Sequence, residues 1–331
     1  MNPLALPPNL LHRFYRGGAG IAELRGIELA DDHMPEDWVG AVNAPFGSEG
    51  EGLSRFDDGT LVRDVMAADP EAFLGPEHVA RFGPDVGLLV KILDAGQRLP
   101  VHFHPGRAFA RRAFGDPHGK TEAWIIVSAA PGAAVHLGFV APVTTDTVRG
   151  WIRDQDAPAM LAAMREVPVA AGDAILVPAG TPHAIGEGIL LVELQEPTDY
   201  SVLMEWRDVG VAEREGHLGI GWDRALEDLD LGALDDARLA ALSGRAGVGR
   251  RLLPAEADPY FRAERVRGGD ELDAGFSILV ALAGEGTLDG RPLRRGETVL
   301  VPHAAGRCAL GGDVEAIRCR PADPAAPEGA W

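Results

Sequence analysis

The apolar positions of this chain come in short runs broken by glycine and proline. VGLLVKILDA, EAWIIVSA and GILLVELQ are dense in Val, Ile and Leu, which predicts buried strands. PVHFHP, GAAVHLGFV and AILVP predict shorter ones, and EDWVGAV (Glu36 to Val42) a further strand near the start. Between Leu61 and Phe82 the spacing turns helical, with Val62, Val65, Met66 and Phe73 apolar. TDTVRGWIRDQDAPAMLAAMREV predicts a helix broken at Asp156–Pro158. WDRALEDLDLGALDDARLAAL predicts a helical pair with Asp223 as a cap. From Leu252 onward FSILVALAG, GTLDG, RPLRRG and ETVLVP alternate with glycine-rich turns, which predicts a second all-β unit.

A weak internal repeat links the two β units. AAGDAILVPAG (Ala170 to Gly180) matches RRGETVLVPHAAG (Arg294 to Gly306), each with a glycine, an acid and an apolar run ending in a Pro turn. The expected fold is mainly β: two related β-barrels, with helices packed around and between them. The expected division is a metal-binding unit with helical additions over 1–205, a helical connector over 206–250, and a metal-free barrel over 251–331.

Composition narrows the function classes. The 331 residues are 46% apolar and 24% charged, an ordinary globular balance. No apolar run approaches the ~20 residues of a membrane helix. The opening MNPLALPPNLLHRF lacks the basic start of a signal peptide. A net charge of −19 argues against nucleic acid or anionic membranes as partners. Two cysteines, Cys308 and Cys319, are too few for a disulfide framework and are expected as buried thiols. The expected setting is the cytoplasm, as monomer or homodimer. All but two of the 31 basic residues are Arg. The two lysines, Lys91 and Lys120, flank one stretch, and Lys offers a tunable pKa that Arg does not.

That stretch holds the chemistry. In PVHFHP, His102 and His104 stand one residue apart, so on a strand both face one side and Phe103 the other. Glu122 opens the next strand, and His183 follows AILVP after a turn at Gly180. Three imidazoles and a carboxylate suit one divalent metal, Zn, Mn, Fe or Ni, and the spacing does not choose among them. Gly96 to His104 reads G-x5-H-x-H, and Gly172 to His183 reads G-x5-P-x-G-x2-H. Together these resemble the motif pair of the cupin superfamily, which implies jelly-roll barrels with the metal inside. The second β unit keeps the G-x5-P turn without an H-x-H, so no metal is expected there.

KILDAGQRLPVHFHP, GKTEAW, VPAGTPHAIGEGILLVELQ and DPYF, in that order, resemble the short bacterial form of type I phosphomannose isomerase. That family, also called mannose-6-phosphate isomerase, interconverts mannose 6-phosphate and fructose 6-phosphate with one bound zinc. The resemblance implies His102, His104, Glu122 and His183 as metal ligands and Lys120 as the active-site lysine. His102 departs from the family's usual Gln. The family's active-site arginine, four residues after an Asp, falls on Leu203 when counted from Asp199. Arg207 is the nearest residue placed to compensate. Arg107, Arg111 and Arg112, in the segment from Gly106 to Gly119, are expected to hold a phosphate, because guanidinium forks match phosphate oxygens. His118, beside Lys120, completes the substrate-side candidates.

The expected reaction moves a proton between C1 and C2 of a sugar phosphate through a cis-enediol. The metal polarises oxygens, and Lys120, with a pKa lowered by the neighbouring cation, relays protons. The two departures keep alternatives open: an isomerase for an unphosphorylated sugar, an Fe or Mn dioxygenase, or a sugar-binding protein without turnover.

Overall fold

The long apolar runs form the centre of a seven-stranded antiparallel sheet. Its strands lie in the order Ser243–Arg245, Asp173–Val177, Glu122–Ala129, Ile189–Gln195, Leu89–Ala95, Glu36–Val39 and Leu10–Leu11. Every residue of Leu89–Ala95 and of Ile189–Gln195 is buried, which is why both read as continuous apolar runs rather than alternating ones. This computed structural model describes residues 1–48, 50–245 and 250–326, so the ends of the expected connector and of the C-terminal unit fall partly outside the described residues.

A five-stranded sheet packs against the first, in the order Val202–Leu203, His102–Phe103, His183–Ile185, Ala134–Phe139 and Met164–Pro168. Its two faces are used differently. Val135, Leu137 and Ile185 join the core shared with the larger sheet. Phe103, Phe139, Ala184 and Val202 point the other way, into a second core with the helices Thr145–Asp154 and Ala157–Ala163. Period-two alternation therefore sends Phe103 outward and leaves His102 and His104 facing in.

The C-terminal strands make a five-stranded and a four-stranded sheet around their own core of Leu279, Leu288, Leu293 and Val299. The opposite face of the five-stranded sheet carries Ile278, Leu300 and Ile317 into the core of the N-terminal unit. The chain is thus mainly β, as the apolar pattern predicts. One strand crosses the expected division: Leu4–Leu6, at the N-terminus, pairs with Thr298–Val301. Cys308 and Cys319 are free and buried, and burial pushes the Cys308 thiol up to about 12.

The helical regions are more broken than their spacing predicts. Leu61 to Phe82 becomes three short helices, Val62–Ala68, Pro70–Leu74 and Pro76–Phe82, because Pro70 and Pro76 each restart a helix at its first position. Asp156 caps the helix after the predicted break. Asp223 lies inside the first turn of Trp222–Ala225, whose cap is Gly221; Asp235 caps the second helix, Asp236–Leu242.

Leu300 is fully buried and pairs with both Leu4 and Ile278. Leu300→Ala is expected to cost about 3 kcal/mol in denaturant unfolding. A loss below about 1 kcal/mol would mean that the two units do not share a packed core.

Candidate active site

The local fold brings three imidazoles to one point. His102 and His183 are direct partners across neighbouring strands. Their ring centroids are 4.1 Å apart, and His104 lies 5.0 Å from His102 and 4.8 Å from His183. Each Nδ1 is engaged by a backbone carbonyl: His102 with Pro100 at 2.8 Å, His104 with Tyr200 at 2.7 Å, His183 with Thr181 at 2.9 Å. A carbonyl only accepts, so each Nδ1 carries the proton and each Nε2 keeps its lone pair. The potential ligand atoms of the three rings lie within 4.8 Å of one another.

Glu122 and Lys120 close the group. One Glu122 oxygen is 3.0 Å from His104 Nε2, and the other is 3.4 Å from His183 Nε2. Trp124 Nε1 donates to Glu122 at 2.9 Å. Lys120 Nζ sits 3.1 Å from Glu122 and 3.0 Å from His104 Nε2. All five side chains are buried. Burial lowers all three imidazoles, with the Lys120 charge adding to the effect and bringing His104 to about 3. Burial alone would raise Glu122, but Lys120 and His104 hold it well below the usual carboxylate range. The rings are therefore neutral and the carboxylate ionised, the states in which these groups ligate a metal. His183 Nε2 and one Glu122 oxygen are buried without a hydrogen-bond partner among the described residues. The unpartnered His183 Nε2 fits a cation, as does the Glu122 oxygen, whose charged neighbour is Lys120, and the N/O donor set fits zinc, manganese, iron or nickel.

His102, Lys120 and Glu122 line a cavity of about 810 Å³. A second buried group on its wall is less visible in the sequence. Lys91 Nζ lies 3.4 Å from Glu36, 3.4 Å from Glu193 and 3.7 Å from Asp199. Arg13 contacts Glu36 and Asp199, each at 3.1 Å. Tyr15 and Trp38 donate to Glu36 at 2.5 and 2.6 Å. The available signal is a charge placed inside a mostly apolar, fully buried strand. Lys91 and Glu193 are such residues, and they are direct cross-strand partners. Phe14, Phe46 and Leu203 also line the cavity, the first two exposed at its rim.

The structure does not bring the expected substrate-side cations to this cavity. The segment from Gly106 to Gly119 contains the helix Arg107–Phe114, which buries Phe109 and Ala110 and turns its arginines elsewhere. Arg107 reaches Glu196 at 2.5 Å and lies over the Tyr260 ring. Arg112 pairs with Glu227 at 3.1 Å, and Arg111 is exposed. His118 contacts Asp85 at 2.5 Å. Arg207 is exposed and sits over Trp206. None of the five is among the residues lining the cavity, whose cations are Arg13, Lys91, Lys120 and Arg214. The helix instead supports the rim, with Phe114 stacked on Tyr200 at 4.6 Å and within 5.9 Å of Phe46.

Glu193 gives this wall a pH signature. Burial, aided by the Glu122 charge, raises its carboxyl from 4.5 to about 7. Its proton stays on in the fold over a range where the unfolded chain loses it. The stability it contributes is therefore complete below about pH 4.5 and gone above about pH 7. In chelated protein, Glu193→Gln is expected to flatten the fall in Tm between these limits. An unchanged Tm–pH profile would show that Glu193 titrates as an ordinary carboxylate.

No protein-family model matches the chain. The mannose-6-phosphate isomerase of Streptococcus mutans serotype c is 30% identical over 322 residues, covering 93% of this chain and 95% of that protein. A crystal structure of the mannose 6-phosphate isomerase from Bacillus subtilis superimposes with a TM-score of 0.75 at 20% identity, over 97% of this chain and 100% of that one. A structure of mannose 6-phosphate isomerase bound with zinc and yttrium gives 0.72 at 16% identity, over 98% of this chain and 100% of that one. Near-complete coverage at this identity, on the same fold, makes the chain a member of the mannose-6-phosphate isomerase family.

Proposed function

We propose that this chain is an aldose–ketose isomerase that interconverts mannose 6-phosphate and fructose 6-phosphate at one divalent-metal site. The observation that carries the reading is the convergence of three Nδ1-anchored imidazoles on Glu122 and Lys120 inside a cavity large enough for a hexose phosphate. His102, His104, His183 and Glu122 would hold the metal. Zinc, which the donor set accepts, is the first choice from the zinc named in one family structure. When bound, it supplies Lewis acidity toward the sugar's carbonyl and hydroxyl oxygens. In this reading the catalytic site belongs to residues 1–205, and 251–331 is a metal-free packing unit.

The chain's own residues then have separate tasks. The reaction takes the proton from C2 of the aldose while O1 gains one, giving a cis-enediol. Return of a proton to C1, with loss of the O2 proton, gives the ketose. Lys120, on the cavity wall beside the ligand group, is the proton carrier. Glu193 lines the same cavity, and burial raises its carboxyl, so it is the candidate for a second acid–base group. Lys91 and Arg13 fix the carboxylates of Glu36 and Asp199 and so keep this wall in place.

Leu203 favours a second reading. Its apolar side chain lines the cavity where the family arginine is expected, which suits an unphosphorylated sugar. A coupled assay with metal-loaded protein separates the two. Conversion of mannose 6-phosphate that chelation abolishes, zinc restores and Lys120→Ala lowers by about 10²-fold or more supports the first reading. Turnover of mannose alone supports the second, and metal-loaded protein inert toward both contradicts each.

A further inference from the structure

The cavity has four lining cations among the described residues, and three are already engaged. Arg13 and Lys91 are tied to buried carboxylates, and Lys120 to Glu122 and His104. Recruiting any of them to a substrate phosphate would strand a buried carboxylate without its counter-charge, which is costly. Arg214 differs. Its side chain makes no hydrogen bond or ion pair among the described residues, and it reaches the cavity from an exposed wall.

Arg214 also stands close to the missing arginine. It lies in the short helix Glu213–Gly216, which packs on the strand Val202–Leu203. At Gly216 the approach is close: a Cβ there would lie 3.2 Å from the Leu203 carbonyl oxygen and 3.2 Å from Trp206 Cβ. Leu203 and Leu218 line the cavity near this helix and offer an anion no competing donor. Glu215, on the same wall, carries the opposite charge, so an anion there depends on Arg214.

We infer that Arg214 forms an anion subsite for the phosphate of a sugar phosphomonoester, on the helix that packs beside Leu203. The guanidinium fork suits two phosphate oxygens at once. The inference rests on the isomerase reading for its substrate, but binding tests it apart from turnover.

The experiment titrates fructose 6-phosphate and fructose into metal-loaded wild type and Arg214→Gln by calorimetry, with mannose 6-phosphate kinetics on both. Wild type is expected to bind the phosphorylated sugar at least about 10-fold more tightly, as for one charged hydrogen-bonded contact. Arg214→Gln is expected to bring the two sugars near parity. Its KM for mannose 6-phosphate should rise about 10- to 100-fold, with kcat within about threefold. An unchanged phosphate preference in Arg214→Gln overturns the inference, as does a wild type without one. A wild type that binds through Arg214 yet turns nothing over upholds the subsite and refutes the isomerase reading. Arg214 is exposed, so the variant is expected to keep the wild-type Tm.

Discussion

Three backbone carbonyls, those of Pro100, Thr181 and Tyr200, set the chemistry of this site. Each accepts from an imidazole Nδ1 and thereby fixes the tautomer and the direction of a ring. The carbonyls come from three different segments, so the ligand group forms only once both sheets and the loop before Val202–Leu203 are in place. The site is a product of tertiary packing, not of one local motif. Burial then removes the competing state, because a protonated imidazole in this cluster would face two others and Lys120.

The same packing imposes an electrostatic balance. Carboxylates in and beside the ligand group each face a cation: Lys120 for Glu122, and Lys91 and Arg13 for Glu36, Glu193 and Asp199. Lys91 and Glu193 face each other across two strands whose every residue is buried. Lys91 also lies over the Trp38 ring at 4.8 Å, so the ammonium is held by carboxylates and by an aromatic face. This explains how these two strands read as apolar yet hold the buried charges of Lys91 and Glu193. Both lysines of this arginine-rich chain line the cavity.

Much of this was legible in the sequence, and the limits have physical causes. The i, i+2 spacing of His102 and His104 needs only strand geometry to put both on one face, and the structure has them there. The apolar runs marked the central strands for the same reason. The pairing of Leu4–Leu6 with Thr298–Val301 was not legible, because a short strand carries no information about a partner so far away in the chain. The arginines of 106–119 misled for a different reason. The match of guanidinium forks to phosphate suggested a binding segment, while Phe109 and Ala110 pack one face of a helix whose arginines reach other partners. Arg13 and Arg214 left no local signal, since what distinguishes them is whether a partner is already present in space.

The central claim is that the chain binds one metal through three Nε2 atoms and Glu122. Anomalous diffraction at the zinc edge from zinc-loaded crystals tests it most directly. The account predicts one ion bonded to His102, His104 and His183 through Nε2 and to a Glu122 oxygen, at about 2.0–2.2 Å. Crystals with no ion among these residues, and with Lys120 still bridging Glu122 and His104, would contradict it.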